Sequence, residues 1–228
     1  MTFHLLSLTL AGILCIADFV TEHAIAHKIK KNYKLISFSA GVAISYIILS
    51  LFPEISEYAL IYSRNIFLYA LLGFVSLNLV EQYVYKSNAK NQSISHKTVH
   101  VAYFFVYNFF IGAILAIFAS KGLAKALLFF IPFLLYIIVE ILPQEFQFKK
   151  NLSKVIYSSA PLFGALAAIR YIDIISSIFG ELLSFITGTL LYIVIRESLP
   201  SEKTEKPFYF IIGVLFYTAI FLISWNLI

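Results

Sequence analysis

Charge and cysteine are what this chain has least of. Only 13% of its residues are Asp, Glu, Lys or Arg, where a soluble domain carries roughly one-quarter, so a water-soluble globular protein is excluded. The single cysteine, Cys15, lies in an apolar run, which excludes a disulfide pair and a cysteine metal cluster. Catalytic signatures are missing as well: there is no His-Glu-x-x-His, no Gly-x-Ser-x-Gly, no phosphate-binding glycine loop and no Cys-x-x-Cys. No nucleophile–base pair can be assembled from spacing. The chain therefore reads as a non-enzyme, with an intramembrane hydrolase as the weakest alternative.

What is abundant is apolar surface. The chain is 61% apolar, and a membrane span needs about 20 mostly apolar residues. Eight candidate spans follow, at 3–25, 34–53, 64–85, 98–119, 123–146, 154–172, 176–199 and 207–227. They fill residues 1–228 as a single transmembrane domain and leave no room for a soluble one. The pI near 9.1 does not call for nucleic acid, because the positive charge sits in short loops, where it sets topology. The first apolar run is followed rather than preceded by Lys28, Lys30, Lys31 and Lys34. It reads as a first span, not as a removed signal peptide.

Basic residues alternate between the two sides. Thirteen fall in the loops after spans one, three, five and seven, and four on the other side: Arg64, Lys121, Lys125 and Arg170. The basic side is expected in the cytoplasm, which puts both termini outside an integral cell-membrane protein. Span two and span seven then read as one helix written twice. Phe38, Gly41, Ser50 and Pro53 recur 147 positions later as Phe185, Gly188, Glu197 and Pro200. Span three (Phe67, Tyr69, Gly73) is echoed more weakly by span eight (Phe208, Phe210, Gly213). The copies cross in opposite directions under this topology, as the inverted repeats of transporters do. The expected fold is all-α, with eight helices arranged as three, two and three. Each copy is expected to stop at its proline, Pro53 or Pro200.

Small residues in spans two, six and seven let backbones approach, which packing alone explains. Ionisable groups in hydrocarbon are functional candidates by default. Tyr107 and Asn108 sit near the centre of span four, and Glu140, Gln144 and Glu145 surround Pro143 in span five. Glu140 and Gln144 share a helix face, and Pro143 frees backbone carbonyls. With Asn108 they would make an oxygen-rich cation site; a satisfied polar cluster is the alternative. His23 and His27, four residues apart near the end of span one, could bind one metal from a helix face, and Asp18 and Glu22 repeat the spacing; interfacial side chains are the simpler account. His96 and His100 repeat likewise before span four, in a short polar loop where a solvated face is expected. Glu81, Asp173 and Glu181 lie near water and either funnel cations or are ordinary interface charge. Arg196 and Glu197, at the end of span seven, can each pair with a neighbour.

These residues resemble a known family. Span two ending Leu-Phe-Pro-Glu, span three with Gly73-Phe-Val…Leu79-Val-Glu81-Gln, and span seven with Gly-Thr-Leu-Leu-Tyr-Ile ending Glu197-Ser-Leu-Pro200 look like the corresponding spans of the ZIP (Zrt/Irt-like) metal transporters. The likeness covers almost the whole chain. It implies a divalent-cation transporter of the zinc, iron and manganese class. The transported ion, zinc foremost, would bind midway through the membrane between spans four and five, and no permanent cofactor is implied.

Carried over residue by residue, the family's ligands fall on Asn108, Glu140, Gln144 and Glu145, with Tyr107 at a histidine position. His100, Asp173, Glu181 and Glu197 are pathway candidates. Two expected carboxylates are instead Ile111 and Ile141, so a two-metal site is not expected, and a single hard-ligated ion fits better. The alternative is a ZIP-fold protein that has lost transport and serves as a regulatory or interaction partner. Expected partners are the lipid bilayer and a divalent ion, with a homodimer compatible and nucleic acid not.

Overall fold

The computed structural model describes residues 2–21, 32–88, 93–139, 151–198 and 206–225. These residues are helical almost throughout and contain no strand. The helices are α1 (Thr2–Val20), α2 (Tyr33–Tyr46), α3 (Phe52–Ile61), α4 (Ile66–Asn88), α5 (Ser93–Lys121), α6 (Leu123–Val139), α7 (Asn151–Ser158), α8 (Ala160–Arg170), α9 (Ile172–Ser177), α10 (Phe179–Ile193) and α11 (Pro207–Trp225). Among the described residues, two five-residue π-helical turns interrupt the order, Ile47–Leu51 after α2 and Val194–Ser198 after α10.

Among the described residues, six stretches are long and apolar enough to cross a membrane: Phe3–Val20, Tyr33–Ile61, Ile66–Tyr83, Thr98–Lys121, Phe179–Arg196 and Pro207–Ser224. The expected fifth and sixth spans correspond to shorter apolar helices, Leu123–Ile138 and Ala160–Arg170. Large apolar side chains stand exposed along α4 (Leu68, Leu71, Leu72, Leu79) and α11 (Phe208, Ile211, Leu215, Leu222). In hydrocarbon such faces are satisfied, while in water they would form an oversized apolar patch.

Three boundaries differ from expectation, each for a backbone reason. Span two does not stop at Pro53 but runs on to Ile61. Pro53 falls within the first two positions of α3, directly after the π turn, where a missing N–H is least costly. Span six is broken at Ser159, because Pro161 opens α8 at the same kind of position. Span seven begins at Phe179 rather than 176, after the short α9 and the non-helical Ile178.

Helix association rests on glycine. A Cβ built on Gly41 of α2 would overlap the carbonyl oxygen of Phe210 on α11, and one on Gly213 would overlap that of Phe38. Gly73 of α4 stands in the same relation to Phe185 of α10, and Gly188 to Ala70. Gly112 of α5 meets Pro161 of α8, and Gly164 meets Phe109. Each pair thus sets glycine hydrogens against the partner's carbonyl oxygens, a contact worth about 0.5–1 kcal/mol. Polar side chains reinforce one of them. The Thr189 hydroxyl donates to Gly73 O at 3.2 Å, and the Tyr103 hydroxyl lies 3.0 Å from both Ser76 Oγ and Thr189 Oγ1.

Cross-contacts give the direction of the first two pairs. Lys34 lies over the Tyr209 ring before the Gly41–Gly213 crossing, and Ser50 bonds Tyr217 after it. Phe74 and Glu81 both meet Tyr192 after the Gly73–Gly188 crossing. Each pair therefore runs parallel, and the second π turn occupies the same place in α10 as the first does in α2.

Gly188→Val should separate α4 from α10 and cost about 2 kcal/mol or more, since backbone cannot yield as a side chain does. A Cβ on Gly12 meets nothing within 4 Å, so Gly12→Ala should be neutral or stabilise by up to ~1 kcal/mol. Thermal unfolding of both variants in one detergent checks the contrast.

Candidate functional site

Of the expected ligands, Asn108 is described. It lies on α5 with 2% exposure, beside Tyr107 and Ile111, which are fully buried. Its Oδ1 has no hydrogen-bond partner among the described residues. A buried amide oxygen without a partner costs about 1–3 kcal/mol and is a ready acceptor for a proton donor or a cation. The Tyr107 ring stands edge-on to Tyr136 of α6 at 6.1 Å, so this part of α5 faces α6. Glu140, Gln144 and Glu145 lie outside the described residues, as do Glu22, His23, His27 and Ile141. The side chains of His96 and Glu197 do too.

The other pathway candidates do not gather around Asn108. His100 is buried against the Phe104 ring at 4.7 Å, two turns earlier on α5. Asp173 and Glu181 sit in the first turns of α9 and α10, Asp173 exposed and Glu181 half-buried. Carboxylates there complement the helix dipole. Among the described residues no group of three or more His, Cys, Asp or Glu side chains could hold a metal ion.

Glu81 is 9% exposed, and it forms an ion pair with Arg196 from the second π turn, whose own side chain is 46% exposed. The Tyr192 hydroxyl donates to Glu81 Oε2 at 3.1 Å, and Arg196 Nη1 donates to that hydroxyl at 2.7 Å. Arg196 thus finds the partner that its position suggested.

One pocket in the described structure was not foreseen. It is a cavity of about 430 Å³ beside the first π turn, between α3, α5, α6 and α11. Apolar walls come from residues such as Leu128, Phe129 and Phe221, and Tyr46 also lines it. The Tyr46 side chain is 1% exposed, and its hydroxyl has no partner among the described residues. Ser50 shares a 2.7 Å hydrogen bond with Tyr217, whose hydroxyl lies 3.5 Å from Leu128 O.

Charge collects around the same cavity. Glu54 accepts from Lys121 Nζ at 2.8 Å, and Lys125 Nζ is 3.9 Å from its second oxygen. Lys121 also donates to the Tyr58 hydroxyl at 3.3 Å and lies 4.3 Å from the centre of the Phe179 ring. Gly122, at φ +130°, makes the turn that sets these two lysines on successive helices. Glu54 had appeared as part of a helix stop and the lysines as topology charge. A continuous helix through Pro53 was the missing signal.

No family model, no curated protein and no solved structure matches this chain.

Lys121 carries the paired, ring-flanked contact and Lys125 does not. Lys121→Met should therefore destabilise by about 1 kcal/mol after allowing for partial exposure, and Lys125→Met by much less. Thermal unfolding at low and high salt reads both, with the Lys121 effect shrinking as salt rises.

Proposed function

We propose that this chain is a ZIP-like divalent-cation transporter of the cell membrane, with zinc the foremost candidate ion. The observation that supports it most is a symmetry of geometry, not of wording alone. α2 pairs with α11 through Gly41 and Gly213, and α10 pairs with α4 through Gly188 and Gly73, with the same carbonyl contacts in each. Each repeat places a π turn at one position, 47–51 and 194–198. π turns inside helices are found frequently at functional sites.

Direction follows from connectivity. The short turn at residues 62–65 makes α4 return against α2. Because α4 and α10 run together, α10 runs against α2. That relation supports inverted repeats, the design in which one block rocks against another around a midmembrane site. In this reading Asn108 faces Glu140 and Gln144 across spans four and five, and Glu145 lies on the exit path. The eight spans stand three, two and three, with both termini outside. The vacant acceptor on buried Asn108 is the feature of the described residues that best fits a bound cation.

A second reading has its own observation. Ile111, where the resemblance places a carboxylate, is fully buried, so its methyl groups fill space that a second ligand would need. This favours a retained fold that now serves a partner protein.

Uptake of zinc, manganese, iron(II) and cadmium into proteoliposomes separates the two. Saturable uptake lost in Asn108→Ala and in the Glu140→Ala, Gln144→Ala double variant is expected. Folded wild-type protein that moves none of the ions, yet co-purifies with one membrane partner, would leave the second reading standing.

A further inference from the structure

None of the residues proposed for the ion path is among those lining the cavity beside the first π turn. We infer that it is a binding site for a small amphipathic anion, an apolar body ending in a carboxylate or phosphate. This inference does not rest on the transporter reading.

Size and lining fit such a ligand. Small-molecule sites are typically about 300–1,000 Å³, mostly apolar, with a few convergent polar groups, and this one is near 430 Å³ with aromatic and leucine walls. Its lining offers one cationic group for the head of such a ligand. Lys125 lines the cavity with its side chain 33% exposed, and its nearest carboxylate oxygen is 3.9 Å away, beyond a good hydrogen bond. Its three donors are open to an anion.

The charges nearby decide the sign. Glu54 is held at 2.8 Å by Lys121 and has little attraction left for a cation. Two ammonium groups face that one engaged carboxylate. Glu57 also lines the cavity but is exposed, so water and salt screen it. With Glu54 engaged by Lys121 and Glu57 exposed, Lys125 is the lining charge left for a ligand.

The test uses full-length protein purified in a sterol-based detergent, with radiolabelled dodecanoate as probe and dodecylamine as the opposite charge. Wild-type protein should bind dodecanoate saturably and dodecylamine at least tenfold more weakly. Lys125→Gln should weaken dodecanoate binding by about tenfold, the loss of one charge-assisted hydrogen bond. Leu128→Trp, which fills the cavity, should abolish it, while Glu57→Gln should leave it unchanged or tighten it.

Retained monodispersity and melting temperature show that the variants fold. Absence of saturable binding by folded wild-type protein would overturn the inference. So would equal binding by the Leu128→Trp variant, tighter binding of dodecylamine, or weaker dodecanoate binding in Glu57→Gln. Mass spectrometry of co-purified molecules separates the sources. An anionic phospholipid present in wild type and lost in Leu128→Trp identifies the bilayer. Protein that arrives empty and fills with added dodecanoate identifies a free amphiphile. Both results support the site.

Discussion

In hydrocarbon, two helices gain nothing by hiding apolar side chains from each other, because lipid tails serve as well. Their association depends instead on how near the two backbones can come. Here six glycines set that limit in three crossings, each placing a bare Cα against a carbonyl oxygen of its partner. The rest of the described structure hangs from these crossings. They fix which helices are neighbours and leave the broad faces of α4 and α11 to the surroundings. They also set the register that brings Tyr192 to Glu81 and Ser50 to Tyr217. Polar contacts of this kind contribute about 0.6–2 kcal/mol each in membranes, enough to select a register but not to replace close approach.

Two of the crossings are copies of one another, and each leads into a π turn. Beyond each turn the helix meets charge: Glu54 with Lys121 and Lys125 after the first, and Arg196 with Glu81 at the second. These pairs lie at helix ends, where water lowers the cost of ionised groups, while the buried centre of α5 offers only an amide and two phenols. The distribution is what a bilayer demands of a chain with so few charges.

Much of this was legible in the residues. Gly41 and Gly188 announced themselves because a glycine at a fixed offset within an apolar run has no reason to recur except backbone contact. The apolar runs marked the long helices, since about 20 such residues leave few alternatives. Pro53 misled, because proline reads as a stop unless a wider turn precedes it. No residue type encodes a π turn. The first lies between the Gly41 crossing on one side and the Glu54–Lys121 contact on the other, and such tertiary contacts are not written in local residues. Lys121 and Lys125 misled for a related reason: in a short loop they look like topology charge, and only the continuation of α3 brings Glu54 to them. Asn108 was recognisable as a buried polar group, but its orphaned oxygen depends on what packs around it.

A π turn is a helix carrying one residue more than its pitch needs. Each residue advances a helix by roughly 100°, so that extra residue sets the azimuth of everything after it. Without it, α3 would be rotated by about a quarter turn relative to α2. Glu54 would then swing away from Lys121 and the cavity would lose one wall. The first π turn is thus a phase shift between two faces: one obeys the glycine crossing, and the other is free to point where the charges are. A chain built this way can keep its packing face fixed while a single inserted residue re-aims its polar one.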